Sequence, residues 1–176
     1  MDRAELAARI FATAHITGEF LLRSGATSTE YFDKYRFESD PELLRAVAEH
    51  LAPLVPDGTD ALAGLELGGV PIATMLSAVT GIRVCFVRKE AKTYGTCQLA
   101  EGVEIAGKRL LVVEDVITSG GQVVLSAADL RAQGAVVESV VCVIDREAGG
   151  PAALAADGLG VQALFTMTDL KAAAPV

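Results

Sequence analysis

The chain has 176 residues and a formal net charge of −8, from 15 basic and 23 acidic side chains. Hydrophobic residues make up 51% of it, which supports one domain with a sizeable core and excludes disorder as its main state. The acidity argues against wrapping nucleic acid or lying on an anionic membrane, and charge, Gly or Pro interrupts every apolar stretch short of membrane length. The opening MDRAELAARIFATAH lacks the apolar block of a secretory signal. Three cysteines (Cys85, Cys97 and Cys142) lack metal-ligand spacing and fit a reducing cytoplasm.

Leu6, Ile10 and Phe11 recur at helical spacing and predict a helix over 2–15, stopped by Gly18. A short extended piece over 20–22 follows. Residues 23–28, RSGATS, are small and hydroxylated, which is loop chemistry, and lead to Tyr31, Phe32 and Asp33. Asp40 and Pro41 predict a helix start, with Leu43, Leu44, Val47 and Leu51 on one face and Pro53, Pro56 and Gly58 beyond its end. After Asp60 the pattern predicts a strand over 61–67, a helix over 70–79 and strands over 82–87 and 110–113. A helix over 121–133, a strand over 136–144, a short helix over 151–157 and a last strand over 159–167 complete the series. Apolar strands alternating with helices predict an α/β fold. Its parallel sheet would be covered on both faces, within a single domain over 1–176. Residues 61–170 would form the core, and 1–60 a cap or hood.

Open α/β sheets bind ligands at the carboxyl ends of their strands, so the residues just after each strand carry the functional reading. The strongest segment is LLVVEDVITSGG, residues 110–121. Four aliphatic residues lead to two acids, then to a hydroxyl- and glycine-bearing turn that opens a helix. Helix N-terminal N–H groups with Thr and Ser hydroxyls suit a phosphate, and carboxylates accept hydrogen bonds from a vicinal diol. Acids first and anion nest second describe a sugar phosphate. RKEAKTYGT (88–96) places three cations in five residues and reads as a loop whose charge suits a polyanion such as pyrophosphate, the alternative being a solvated charge run. Gly68 and Gly69 precede a helix and read either as a second anion nest or as an ordinary turn. Arg146 ends a strand, where it could read a carboxylate on a ligand or pair with Asp145 or Glu147. His15 and His50 lie on helical patterns and give a histidine-based triad little material. Cys85 and Cys142 sit inside strands, where a core role is expected.

Residues 113–120 have the aliphatic–acid–acid–x–x–Thr–x–Gly form of a diphosphate-sugar motif, and the chain resembles a type I phosphoribosyltransferase. Four further segments, RSGATSTEYFD, GLELGGVPIA, RKEAKTYGT and IDRE, fall in the family's order and resemble orotate phosphoribosyltransferases. The resemblance implies the type I phosphoribosyltransferase fold, a central parallel sheet flanked by helices with an N-terminal hood. It also implies transfer of phosphoribosyl from 5-phosphoribosyl 1-diphosphate (PRPP) to orotate in pyrimidine biosynthesis. Under it, Glu114 and Asp115 would hold the ribose hydroxyls. Val116, Ile117, Thr118, Ser119, Gly120, Gly121 and Gln122 would wrap the 5-phosphate. Arg88, Lys89, Lys92 and Tyr94, with Gly68 and Gly69, would meet the pyrophosphate. Thr118, Arg146, Arg23 and the backbone of Tyr31 and Phe32 would form the orotate pocket, and Lys92, Glu114 and Asp115 would be the catalytic set.

The resemblance further implies Mg²⁺ arriving on the diphosphate with no direct protein ligand, and a homodimer sharing its sites through the 88–102 loop. The small-molecule substrates would be the only partners besides the second subunit, with neither nucleic acid nor membrane. Tyr94 stands where many bacterial members carry His, Glu114 where the first acid is often Asp, and Arg23 where some have Lys. Two other readings stay open: a transferase of the same fold acting on a purine or other base, and a non-catalytic PRPP-binding regulator. Arg146 and an aromatic content of 5% favour a carboxylated base over a stacked purine, and the chain shows no basic surface for DNA.

Overall fold

The computed structural model describes residues 1–21, 25–90 and 98–174. Helix α1 (Arg3–Ala14) is capped by Asp2, whose side chain accepts from the Glu5 N–H at 2.8 Å, and it buries Leu6, Ala7, Ile10 and Ala14. It ends at Ala14, ahead of the expected stop at Gly18. Strand β1 (His15–Leu21) follows at once and pairs antiparallel with β2 (Thr27–Phe32). A register shift between Thr17 and Phe20 absorbs Gly18 inside the strand. Thr27 and Ser28, expected in a loop, are strand residues because hairpin pairing overrides their local preference. The Asp33 N–H closes the base of the hairpin on the Ala14 carbonyl at 2.8 Å.

Asp33 also caps a five-residue helix that the apolar pattern does not show, α2 (Lys34–Glu38). Helix α3 (Pro41–Leu51) starts where expected, with the Asp40 side chain accepting from the Glu42 and Leu43 N–H groups. A short 3₁₀ turn then leads into the alternating part of the chain. Its elements are β3 (Ala61–Leu65), α4 (Gly69–Thr80), β4 (Arg83–Val87), β5 (Ala100–Glu101) and β6 (Arg109–Ile117). They continue with α5 (Gly121–Ala132), β7 (Val136–Asp145), α6 (Gly150–Ala156), β8 (Gly160–Thr166) and α7 (Met167–Ala172).

The six strands lie in the order β5-β4-β3-β6-β7-β8, parallel except for the antiparallel edge β5. Successive residues of β6 feed different apolar clusters, as alternating strand side chains must. Leu111 and Val113 join Leu6, Ile10, Phe37, Leu43 and Ile72, whereas Leu110 and Val112 join Cys85, Val123, Leu130 and Leu154. Edge strand β5 and helix α7 are too short to register in the apolar pattern. Where β4 leaves the sheet, the Arg88 N–H donates to the Leu99 carbonyl at 2.9 Å.

One difference from the expected elements shapes the site. Strand β6 runs through the two acids to Ile117, while β3 stops at Leu65. Pairing of β3 with β6 extends only to Gly64 opposite Val113, whereas β7 continues beside β6 until Asp145 lies opposite Ile117. Glu114 and Asp115 are therefore held straight by β7 after β3 has ended on their other side. Among the described residues no helix is long and apolar enough to cross a membrane.

Candidate active site

The two acids occupy contrasting surroundings. Asp115 is 1% exposed and forms an ion pair through Oδ2 with the Lys34 ammonium from α2. Its other oxygen accepts from the Val116 N–H at 2.5 Å. Burial pulls the proton affinity of Lys34 down, but the bond to Asp115 and the charge of that carboxylate outweigh it and leave the ammonium above its ordinary value. Glu114 is half-buried; loss of solvent first and the Asp115 charge second push its carboxyl up to about 8. Glu114 therefore holds its proton to higher pH than an ordinary carboxyl does.

Gly68 and Gly69 are glycines because of those acids. A Cβ at Gly68 would fall on the Asp115 carboxylate and lie 2.9 Å from Lys34 Nζ. A Cβ at Gly69 would run into the Val113 carbonyl and come within 3.1 Å of Glu114 Oε2. The close approach decides the ordinary-turn reading in part: this turn is packed onto the acid pair. Beside it, the Glu66–Leu67 peptide is cis, and Glu66 Oε2 lies 3.4 Å from the Lys89 backbone N.

Beyond Asp115 the turn 118–120 opens α5 without any side-chain cap, and Gly120 adopts φ 78°. The N–H groups of its first turn have no intrahelical acceptor, so they face the cavity of about 360 Å³ that this turn lines together with Glu114 and Gln122. A second cavity, of about 230 Å³, adjoins it through Val116 and Thr118 and is walled by Tyr31, Phe32, Lys34, Tyr35 and Arg146. The β1–β2 hairpin, α2 and the end of β7 thus meet over one hollow.

Arg146 is exposed on that wall, and among the described residues it forms no ion pair with either neighbouring acid. Asp145 accepts from the Glu147 N–H at 2.9 Å, and Glu147 accepts from the Thr168 N–H and hydroxyl at 2.8 and 2.6 Å. Both acids being engaged elsewhere, the pairing reading of Arg146 fails. Arg88 Nε lies 3.6 Å from Glu101 Oε1, and Lys89 is exposed beside it. Arg23, Lys92 and Tyr94, with Cys97, lie outside the described residues. Cys85 and Cys142 are buried core thiols, Cys85 pushed up to about 11 by burial and Cys142 higher still. His15 stacks on Phe11 and bonds Glu30 at 2.9 Å, and both line a hollow of about 190 Å³ that Arg146 also borders. The composition and spacing pointed to neither Lys34 nor Glu38, yet both stand at Asp115. The one signal that could have found them is Asp33 as a helix cap directly before them.

An α/β sheet whose central strand delivers two carboxylates beside an uncapped, glycine-bearing turn defines a sugar-phosphate-binding class of protein. Residues 36–157 match the profile of the phosphoribosyl transferase domain. An orotate phosphoribosyltransferase of a Nocardioides species is 56% identical over 170 residues, 97% of this chain and 95% of that one. That of Methanocella arvoryzae is 42% identical over 153 residues, 87% of each. The crystal structure of Mycobacterium tuberculosis H37Rv orotate phosphoribosyltransferase with Fe(III) dicitrate superposes with a TM-score of 0.88 at 32% identity, covering 97% of this chain and 99% of that one. The same enzyme in complex with PRPP superposes at 0.83 with 29% identity, covering 97% and 99%. The chain belongs to the phosphoribosyltransferase family, among the orotate phosphoribosyltransferases.

Proposed function

We propose that the protein transfers the phosphoribosyl group of PRPP to orotate, giving orotidine 5′-phosphate and pyrophosphate. The observation that carries the reading is Arg146, a cation not paired with its neighbouring acids, facing a hollow that opens onto the turn 118–121. A carboxylated base beside a sugar phosphate fits that pairing of sites. The Mycobacterium tuberculosis relative binds PRPP, which supports the same ligand here.

In this reading the N–H groups of Gly121 and Gln122, with the Thr118 and Ser119 hydroxyls, hold the 5-phosphate, flanked by Val116, Ile117 and Gly120. Glu114 and Asp115 meet the ribose hydroxyls. Gly68, Gly69, Arg88, Lys89, Lys92 and Tyr94 take the pyrophosphate. Arg146, Thr118, Arg23 and the Tyr31–Phe32 backbone orient orotate. The pyrimidine nitrogen attacks the anomeric carbon as the bond to the pyrophosphate oxygen breaks and its electron pair leaves with that oxygen. The Asp115 charge stabilises the oxocarbenium-like ring between the two events, while the cations offset charge growing on the leaving group. Mg²⁺ brought in with the diphosphate would supply further neutralisation of that charge.

The reading extends to a homodimer sharing its sites through residues 88–102 and to residues 1–60 acting as a hood over a core of 61–170. It extends also to a cytoplasmic location, which the free thiols Cys85 and Cys142 support. The test is loss of orotate absorbance with purified protein, Mg²⁺ and PRPP, with adenine, hypoxanthine, xanthine and uracil run in parallel. Turnover with orotate alone is expected. Turnover with another base only would overturn the base pocket and leave the diphosphate-sugar site standing.

A further inference from the structure

Among the described residues, Glu38 is the one strongly buried carboxyl that the proposed reaction does not use. It is 6% exposed, and neither of its oxygens has a hydrogen-bond partner among the described residues. Its position follows from α2: Phe37 is fully buried in the apolar cluster, so the next residue is carried inward with it. There the Glu38 carboxyl faces Asp115. The other charged groups that act on it are Glu114 from β6 and Lys34 from its own helix. Helices α1 and α3, which pack on α2, contribute apolar Leu6, Ile10, Leu43 and Val47 to the cluster. Their charged side chains pair outside it, Arg9 with Glu42 and Arg45 with Glu49.

Three carboxyls and one ammonium share this pocket. Ionising all three would leave two uncompensated negative charges out of water, beside a site meant for an anionic sugar phosphate. Adjacent buried carboxyls escape that repulsion by keeping a proton between them. We propose that Glu38 and Asp115 share one proton, and that Glu38 is thereby a positioning residue for the ribose-binding acid. Neutral Glu38 donates its O–H to Asp115, Lys34 balances the Asp115 charge, and the carboxylate is held in one orientation at the end of β6. Burial first, then the Asp115 charge, pushes Glu38 up to about 8. Above that pH the proton leaves, and a second negative charge appears where the anionic substrate docks.

The proposal rests on reading Asp115 as the ribose acid, and the experiment separates the two. Glu38→Gln keeps a hydrogen-bond donor that does not titrate, and Glu38→Met keeps the volume without a donor. In the wild-type protein the PRPP KM should rise severalfold from pH 7 to pH 9, with kcat changing less. Glu38→Gln should make that rise clearly smaller, leaving only the part that Glu114 adds by titrating over the same range, and Glu38→Met should raise the KM roughly tenfold already at pH 7, as loss of a hydrogen bond to a charged group implies. The infrared spectrum of the substrate-free protein at pH 7 should show neutral carboxyls from Glu38 and Glu114, and either variant should remove the Glu38 component. An unchanged infrared band, or the same alkaline rise in KM with Glu38→Gln, overturns the proposal. Equal damage by both variants at every pH would make Glu38 structural only. Absence of PRPP turnover in every protein would instead sink the reading of the site, while the infrared band still decides where the proton is. If one variant does not fold, the band in the other suffices.

Discussion

Residues 68–69 and 120–121 each place two glycines between a strand and a helix, and the two pairs answer to different neighbours. Gly68 and Gly69 are buried, and the space a side chain would take belongs to Asp115, the Val113 carbonyl and Glu114. Gly120 turns the chain at φ 78°, with Leu154 and the Gly150 carbonyl behind it, and Gly121 has nothing closer than Ser119 Oγ at 3.9 Å. The first pair lets the protein approach its own carboxylates; the second leaves backbone N–H groups bare toward solvent. A Gly-Gly dipeptide ahead of a helix therefore says that backbone must come close to something, and only the fold says whether that something is the protein or a ligand.

Three substitutions test the contrast. Gly68→Ala should be the most damaging, because Asp115 or the turn must move; a displacement near 1 Å lowers kcat/KM by roughly a hundredfold. Steady-state kinetics in both substrates would show it, and a value within threefold of wild type would break the comparison. Gly120→Ala should act on stability instead. A left-handed alanine costs about 1–2 kcal/mol, so Tm should fall by roughly 3–6 °C. Its Cβ would also press on Leu154 Cγ at 3.1 Å. Gly121→Ala should be the mildest, with Tm unchanged and the PRPP KM raised about two- to threefold by crowding the bare N–H groups. If Gly121→Ala proved as harmful as Gly68→Ala, the open character assigned to the second turn would be wrong.

Much of this was visible in the residues, and the failures have physical causes. The acid pair and its turn stood out because a core strand seldom ends in two carboxylates without use. The alternation of apolar runs with helical spacing showed the succession of strands and helices along the chain, and the order of the strands in the sheet came only with the fold. Two things were out of reach. Where β6 ends depends on β7 outrunning β3, a fact about neighbouring strands that no local pattern carries. Helix α2 is a single short turn, and the meeting of Lys34 and Glu38 with Asp115 is a tertiary event between distant parts of the chain. Thr27 and Ser28 misled in the opposite direction, their loop chemistry being overruled by pairing with β1. Arg146 was ambiguous until Asp145 and Glu147 were seen to be occupied.

The bond from the Arg88 N–H to the Leu99 carbonyl fixes residues 88 and 99 side by side at one edge of the sheet. Lys92 is four positions beyond Arg88 in sequence, so chain length alone limits its Cα to about 14 Å from the Arg88 Cα. Its own stem adds only about 6 Å. Any diphosphate that Lys92 serves, in this subunit or a second one, must therefore lie inside that leash. In a dimer, the distance between one subunit's Arg88 and the other's turn at Gly68 becomes a yes-or-no criterion for shared chemistry.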